Sequence, residues 1–153
     1  MGYPSQFRAE EFPVYGNSGS KPLPVQHADF VLFDDANFAS NRSRDQSQLN
    51  WVYNHSLLVV EAKKPDEIPI INTQPQFYSA WTRAVAYILI DGNKIKGYFL
   101  GKTTADIPIV NCDVSTLVDN EDFLQFSFEN IRHIKEMDIN ETSTCWKWNQ
   151  YTI

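Results

Sequence analysis

Leu57-Leu58-Val59-Val60-Glu61-Ala62-Lys63 is the stretch on which the reading of this chain turns. Its near-continuous apolar start reads as a strand buried on both faces, the pattern of a central strand. The run then becomes charged. Glu61 and Lys63 stand two apart, so in a strand both project from the same face. A charged pair placed directly after four buried aliphatics is costly unless it serves a purpose.

Working outward, Val25–Phe33 (VQHADFVLF) reads as the preceding strand. Strict alternation puts Asp29, Val31 and Phe33 on one face and Phe30 and Leu32 on the other. Phe7–Tyr15 reads as a first strand carrying Glu10 and Glu11, and Gly16-Asn17-Ser18-Gly19-Ser20 is turn chemistry. Residues 34–56 are long and polar for a hairpin connection, so they form a functional loop or hold a short helix near 45–53. After the turn residues Lys64-Pro65-Asp66-Glu67, Gln76–Ile90 predicts a helix with Phe77, Trp81, Ala84, Val85 and Ile88 on one face. Asp91-Gly92-Asn93 stops it. Ile95–Leu100 and Ile107–Cys112 read as strands. Glu121–Met137 reads as mainly helical, with Phe128, Ile131 and Ile134 recurring at three-residue spacing. The expected order is β-β-β-α-β-β-α. Its central βαβ crossover, from Leu57–Lys63 to Ile95–Leu100, is expected to be right-handed. The predicted class is α/β, a mixed central sheet with helices packed on it.

Length and composition agree with one globular domain spanning 1–153. The chain is 42% hydrophobic, 14% aromatic and 21% charged, which excludes a disordered or fibrous protein. No apolar run approaches the roughly 18–20 residues of a membrane helix, and no apolar signal core follows Met1, so no membrane partner and a cytoplasmic location are expected. Cys112 and Cys145 form neither a disulfide framework nor a paired metal-ligand spacing. The net charge of −6 argues against a non-specific nucleic-acid coat. It is unevenly spread: residues 1–102 balance ten acids with ten bases, whereas residues 103–153 carry nine acids and three bases. A local basic surface in the first two thirds is therefore compatible with the overall acidity.

The residues that carry chemistry are Asp29, Glu61 and Lys63. Two carboxylates converging from adjacent strands make a hard-oxygen site suited to Mg²⁺, to which the Ala62 carbonyl can add a third oxygen. A lysine beside such a site orients a water and helps deprotonate it, while the metal lowers that water's pKa. This set serves phosphodiester hydrolysis. His27, His55 and His133 share no ligand spacing. Arg42, Arg44, Lys64 and Lys102 are candidate phosphate contacts, though each alone reads more simply as a solvated charge. Gly97-Tyr98-Phe99-Leu100-Gly101-Lys102-Thr103 has three residues between its glycines where a phosphate-binding loop needs four, and it lies along a strand, so nucleotide binding is not expected there.

Asp29…Glu61-x-Lys63 resembles the PD-(D/E)xK nuclease motif. The longer pattern HADFVLF…LLVVEAKKP, with a helix ending Ala86-Tyr87 and then Asp91-Gly92 and a strand, is similar to the nuclease domain of the R subunits of type I restriction enzymes. The similarity runs from about Phe7 to about Ile109. It implies a restriction-endonuclease-like fold, Mg²⁺-dependent cleavage of double-stranded DNA, and partnership with methylation and specificity subunits. It also implies that the chain is a segment of a longer R subunit, whose ATP-driven motor domains a chain of this length cannot hold. Within that pattern Asp29 and Glu61 are the metal carboxylates and Lys63 the catalytic lysine. The family's Gln-x-x-x-Tyr helix motif falls on Arg83 and Tyr87, so Arg83 replaces its glutamine. Gln76 shares the same helical stripe, and Gln76, Arg83 and Tyr87 are expected to support the site together. Glu10 is a further candidate carboxylate. Ala28 stands where the family has proline, and the helix that usually precedes the first strand is missing. The alternatives are a non-catalytic module of the same fold, for assembly or DNA binding, and a nuclease for repair or RNA processing.

Overall fold

A computed structural model of the chain describes residues 1–64, 74–100 and 108–138. Its centre is a six-stranded mixed sheet in the order β1-β4-β5-β6-β7-β8. The strands are β1 (Arg8–Val14), β4 (Gln26–Phe33), β5 (Ser56–Ala62), β6 (Ala86–Ile90), β7 (Lys94–Phe99) and β8 (Val110–Asp113). A two-stranded hairpin, β2 (Asn17–Ser18) with β3 (Lys21–Pro22), joins β1 to β4. The pair β5–β6 is parallel and the other neighbouring pairs of the large sheet are antiparallel. Predicted and observed strands agree closely for β1, β4 and β5, and β5 occupies an interior position as its apolar run requires.

Helices lie on both faces of the sheet. On one face α1 (Gln46–His55) and α2 (Gln74–Thr82) contribute Val52 and Tyr78 to a core with Phe12, Val31, Phe33, Val59, Tyr87 and Leu89. On the other, a 3-10 turn (Glu121–Phe126) and a helix over residues 128–138, α3, pack Phe126, Phe128 and Ile131 against Leu58, Ala86, Ile88 and Phe99. The long 34–56 connection thus contains the short helix as one of its two readings. Asp45 caps α1: its carboxylate accepts from the Ser47 amide at 2.9 Å and the Ser47 hydroxyl at 2.6 Å, which holds its pKa below the ordinary value.

The predicted helix Gln76–Ile90 needs correction. The helix ends at Thr82, Arg83 takes a left-handed backbone (φ 58°), and residues 86–90 form β6. In β6, Tyr87 and Leu89 enter one core while Ala86 and Ile88 enter the other, so the segment is buried on both faces. A short apolar run of this kind has no period to separate strand from helix; pairing with β5 and β7 decides. The βαβ unit exists, but it runs β5–α2–β6, and the strand near 95–100 is the antiparallel partner of β6. The buried face of α2 is also different from the expected one. Pro75, Tyr78, Ser79 and Thr82 are buried, at helical spacing, and Phe77 is 50% exposed. The hydroxyls disguise this face in the sequence. Each is satisfied within the helix, Ser79 donating to the Pro75 carbonyl and Thr82 to that of Tyr78, both at 2.8 Å.

The C-terminal helical expectation holds for residues 121–138, with Phe128 and Ile131 buried and Ile134 packed against the same core. The tail around Trp146 and Trp148, Cys145 and Lys102 lie outside the described residues.

Candidate active site

β4 and β5 bring Asp29 and Glu61 together. Their antiparallel register runs Leu32↔Leu58, Val31↔Val59, Phe30↔Val60, so the next opposed positions are Asp29 and Glu61. There the ordinary backbone ladder gives way to side chains. The Asp29 amide donates to Glu61 Oε1 at 3.0 Å, and the Ala62 amide donates to Asp29 Oδ2 at 2.9 Å. Each carboxylate is therefore held by a backbone N–H of the opposite strand, a reciprocal arrangement that fixes both at the seam.

The irregularity extends into β1. Its pairing with β4 passes from Glu10↔Phe30 to Phe12↔Ala28 and skips Glu11, which has a left-handed backbone (φ 48°). The inward pattern shifts in step: Ala9 and Phe12 are core residues on β1, and Ala28 and Val31 on β4. Ala28, rather than Asp29 as alternation predicts, joins Val31 and Phe33 in the core. Asp29 is released from the core pattern at the point where it meets Glu61.

Glu61 is 3% exposed. Burial pushes its pKa up to about 7; the Asp29 amide opposes this, Asp29's negative charge and a side-chain hydrogen bond with Asp29 add to it, and the Lys63 cation opposes it. Lys63 follows the last residue of β5, and its amide continues the ladder by donating to the Ile90 carbonyl at 2.8 Å. Its side chain is half-buried and makes no ion pair among the described residues. The sequence-predicted trio is thus assembled at one end of the sheet.

The supporting residues are not assembled in the same way. The helical stripe of Gln76, Arg83 and Tyr87 does not form, because the three fall on α2, a turn and β6. Tyr87 pairs with Val59 in the β5–β6 register and shares the Val59 face. It is buried and stacked on Tyr98 at 4.8 Å, and burial raises its pKa to about 12. Arg83 is exposed and lies over the Tyr53 ring at 4.3 Å. Gln76 is half-buried on α2. Glu10 is exposed and pairs with Arg8 at 3.5 Å. Arg42 and Arg44 are structural: Arg42 donates to the Glu11 carbonyl at 3.0 Å and covers Phe12, while Arg44 reaches the Leu23 carbonyl and covers Tyr15.

The donor set suits a hard divalent cation with two carboxylates side by side, one of them buried and repelled by the other. Mg²⁺ commonly takes one or two protein carboxylates and completes its shell with water and phosphate oxygens. Among the described residues, no group of three His, Cys, Asp or Glu side chains gathers to hold a metal. The sequence reading missed Lys94 and Lys96. Strand periodicity over 94–99 groups both with Tyr98, but only the pairing of β5, β6 and β7 puts that face beside Glu61. Compared with family models, curated proteins and solved structures, the chain matches none.

Proposed function

We propose that this chain is a Mg²⁺-dependent nuclease domain that hydrolyses phosphodiester bonds of double-stranded DNA, with Asp29, Glu61 and Lys63 as its catalytic residues. The reciprocal carboxylate–amide pairing of Asp29 and Glu61 carries the reading. It places two acids in one spot, at the expense of repulsion that a cation relieves. Asp29 and Glu61, with the Ala62 carbonyl, would hold the metal, whose chemistry when bound would be to lower the pKa of a water and to neutralise charge on the phosphate. Lys63 orients the attacking water and favours its deprotonated form through its own positive charge. The clamp by the Asp29 and Ala62 amides keeps the carboxylates from rotating away between turnovers.

The resemblance to restriction-enzyme R subunits extends this reading to a cleavage module working with methylation and specificity subunits. That assignment rests on the motif spacing alone. The competing reading is a module of the same fold that binds DNA without cutting it. A plasmid-nicking assay with and without Mg²⁺ separates the two. Cleavage that needs Mg²⁺ and disappears in Glu61→Ala supports the nuclease. DNA binding with no Mg²⁺-dependent cleavage, in the chain assembled with methylation and specificity subunits, supports the module.

A further inference from the structure

The register of the sheet carries the site beyond its three residues. Glu61 pairs with Leu89 on β6, and Leu89 pairs with Lys96 on β7. At the ordinary strand spacing, the Cα of Lys96 is roughly 10 Å from that of Glu61. Strand alternation puts Lys96 and Lys94 on the face of Tyr98, which shares a core with Val59, two residues before Glu61. Lys63 stands one row further along, joined to β6 through Ile90. Lys63 and Lys96 are half-buried and Lys94 is exposed. None of the three makes an ion pair among the described residues. Asp113 stands opposite Lys94 in the register without one, and Asp91 turns Oδ1 to the amides of Asn93 and Lys94 at 2.7 and 2.6 Å. A chain of net charge −6 therefore presents a row of cations beside its carboxylate pair.

We propose that Lys94 and Lys96 seat the backbone phosphates that flank the scissile one, so that a strand of duplex DNA crosses the sheet end from the Asp29–Glu61 pair toward β7. The proposal rests on the nuclease reading and adds the direction in which the substrate runs. A lysine whose Cα stands about 10 Å from that of Glu61 is placed to reach a neighbouring phosphate rather than the one being cut. Such contacts position the duplex without reading its sequence.

The test is a salt titration of binding to a fluorescent 20-base-pair duplex, with Ca²⁺ replacing Mg²⁺ so that the DNA stays intact. Each phosphate contact contributes about 0.9 to the slope of log K against log salt. Lys94→Gln/Lys96→Gln should lower that slope by about 2 and weaken binding at least tenfold at low salt. Lys96→Arg should keep the slope, and Arg132→Gln, on α3, should leave it unchanged. An unchanged slope in the double variant, beside a wild type that binds and cuts, overturns the track and leaves the nuclease reading standing. A wild type that neither binds nor cuts duplex overturns both. Equal slope losses in Arg132→Gln and the double variant would show a general charge effect and also overturn the track.

Discussion

At Glu61, burial and the charge of the neighbouring Asp29 carboxylate outweigh the Asp29 amide and the Lys63 cation, and the consequence is a testable pH dependence. Its folded pKa of about 7 stands above the ordinary 4.5. Between these values the unfolded chain releases a proton that the folded chain keeps. Metal-free protein should therefore lose stability as pH rises from about 4.5 to about 7, by roughly 2–3 kcal/mol. Urea denaturation in EDTA measures this, and Glu61→Gln should flatten the slope. Adding Mg²⁺ should reverse it, since the cation favours the ionised pair. Lys63 has a different signature. Lys63→Ala should abolish cleavage while calorimetric Mg²⁺ affinity stays the same or rises slightly, because Asp29 and Glu61 remain and a nearby cation is gone. Glu61→Ala should weaken metal binding and cleavage together. Near wild-type cleavage by Lys63→Ala would remove the lysine from the mechanism.

Between elements, close approach decides which residues are tolerated. Phe126 lies so near β7 that a Cβ added at Gly97 would sit 2.6 Å from its ring, which also stacks on Phe99 at 4.9 Å. Alanine normally improves a strand position held by glycine. Here Gly97→Ala should instead destabilise by about 1–3 kcal/mol through overpacking, read from the denaturation midpoint. Phe126→Leu in the same chain should recover part of the loss, because it withdraws the ring edge from the new methyl group. The same logic applies at the hairpin, where the Trp81 ring would lie 2.5 Å from a Cβ at Gly16. There α2 is seated directly on the backbone that leads from β1 into β2.

Across the whole molecule, the carboxylate pair and a second polar cluster occupy opposite ends of the sheet. Beyond the other end of β4, Asp34 Oδ1 meets His55 Nδ1 at 2.7 Å. Lys135 of α3 donates there to the Arg83 carbonyl and is only 4% exposed. Burial lowers its pKa to about 8; Asp34 and Asp138 oppose that shift and Arg83 adds to it. The folded chain thus gives up this proton near pH 8 and the unfolded chain near 10.5, so Lys135 makes stability rise with pH over that range. Lys135→Met should lack the rise, on the order of 2–3 kcal/mol, when wild type and variant are compared by thermal melts from pH 7.5 to 10. An identical pH profile for the two would show that the ammonium is solvated in the folded chain.

How much of this was legible in the sequence differs from residue to residue. The run Leu57–Val60 ending in Glu61 and Lys63 was enough to place a central strand with charges at its end, because burial on both faces leaves a local, continuous signal. VQHADFVLF likewise declared its strand, and the C-terminal helix its three-residue recurrence. The meeting of Asp29 with Glu61 was inferable from two strands and a motif. The hydrogen bonds that lock them were not, since these arise where the β1 and β4 patterns shift together at Glu11 and Asp29, and no single segment records a paired shift. Val85–Ile90 was misread for a related reason. Its six apolar or aromatic residues fit either period, and β5 and β7 on either side made it a strand. The buried face of α2 was hidden because Ser79 and Thr82 look polar until their hydroxyls are seen bonded to their own helix. Lys96 had no local mark at all. It joins the site only through two successive pairings, Glu61 with Leu89 and Leu89 with Lys96, and such neighbours across a sheet are set by tertiary register.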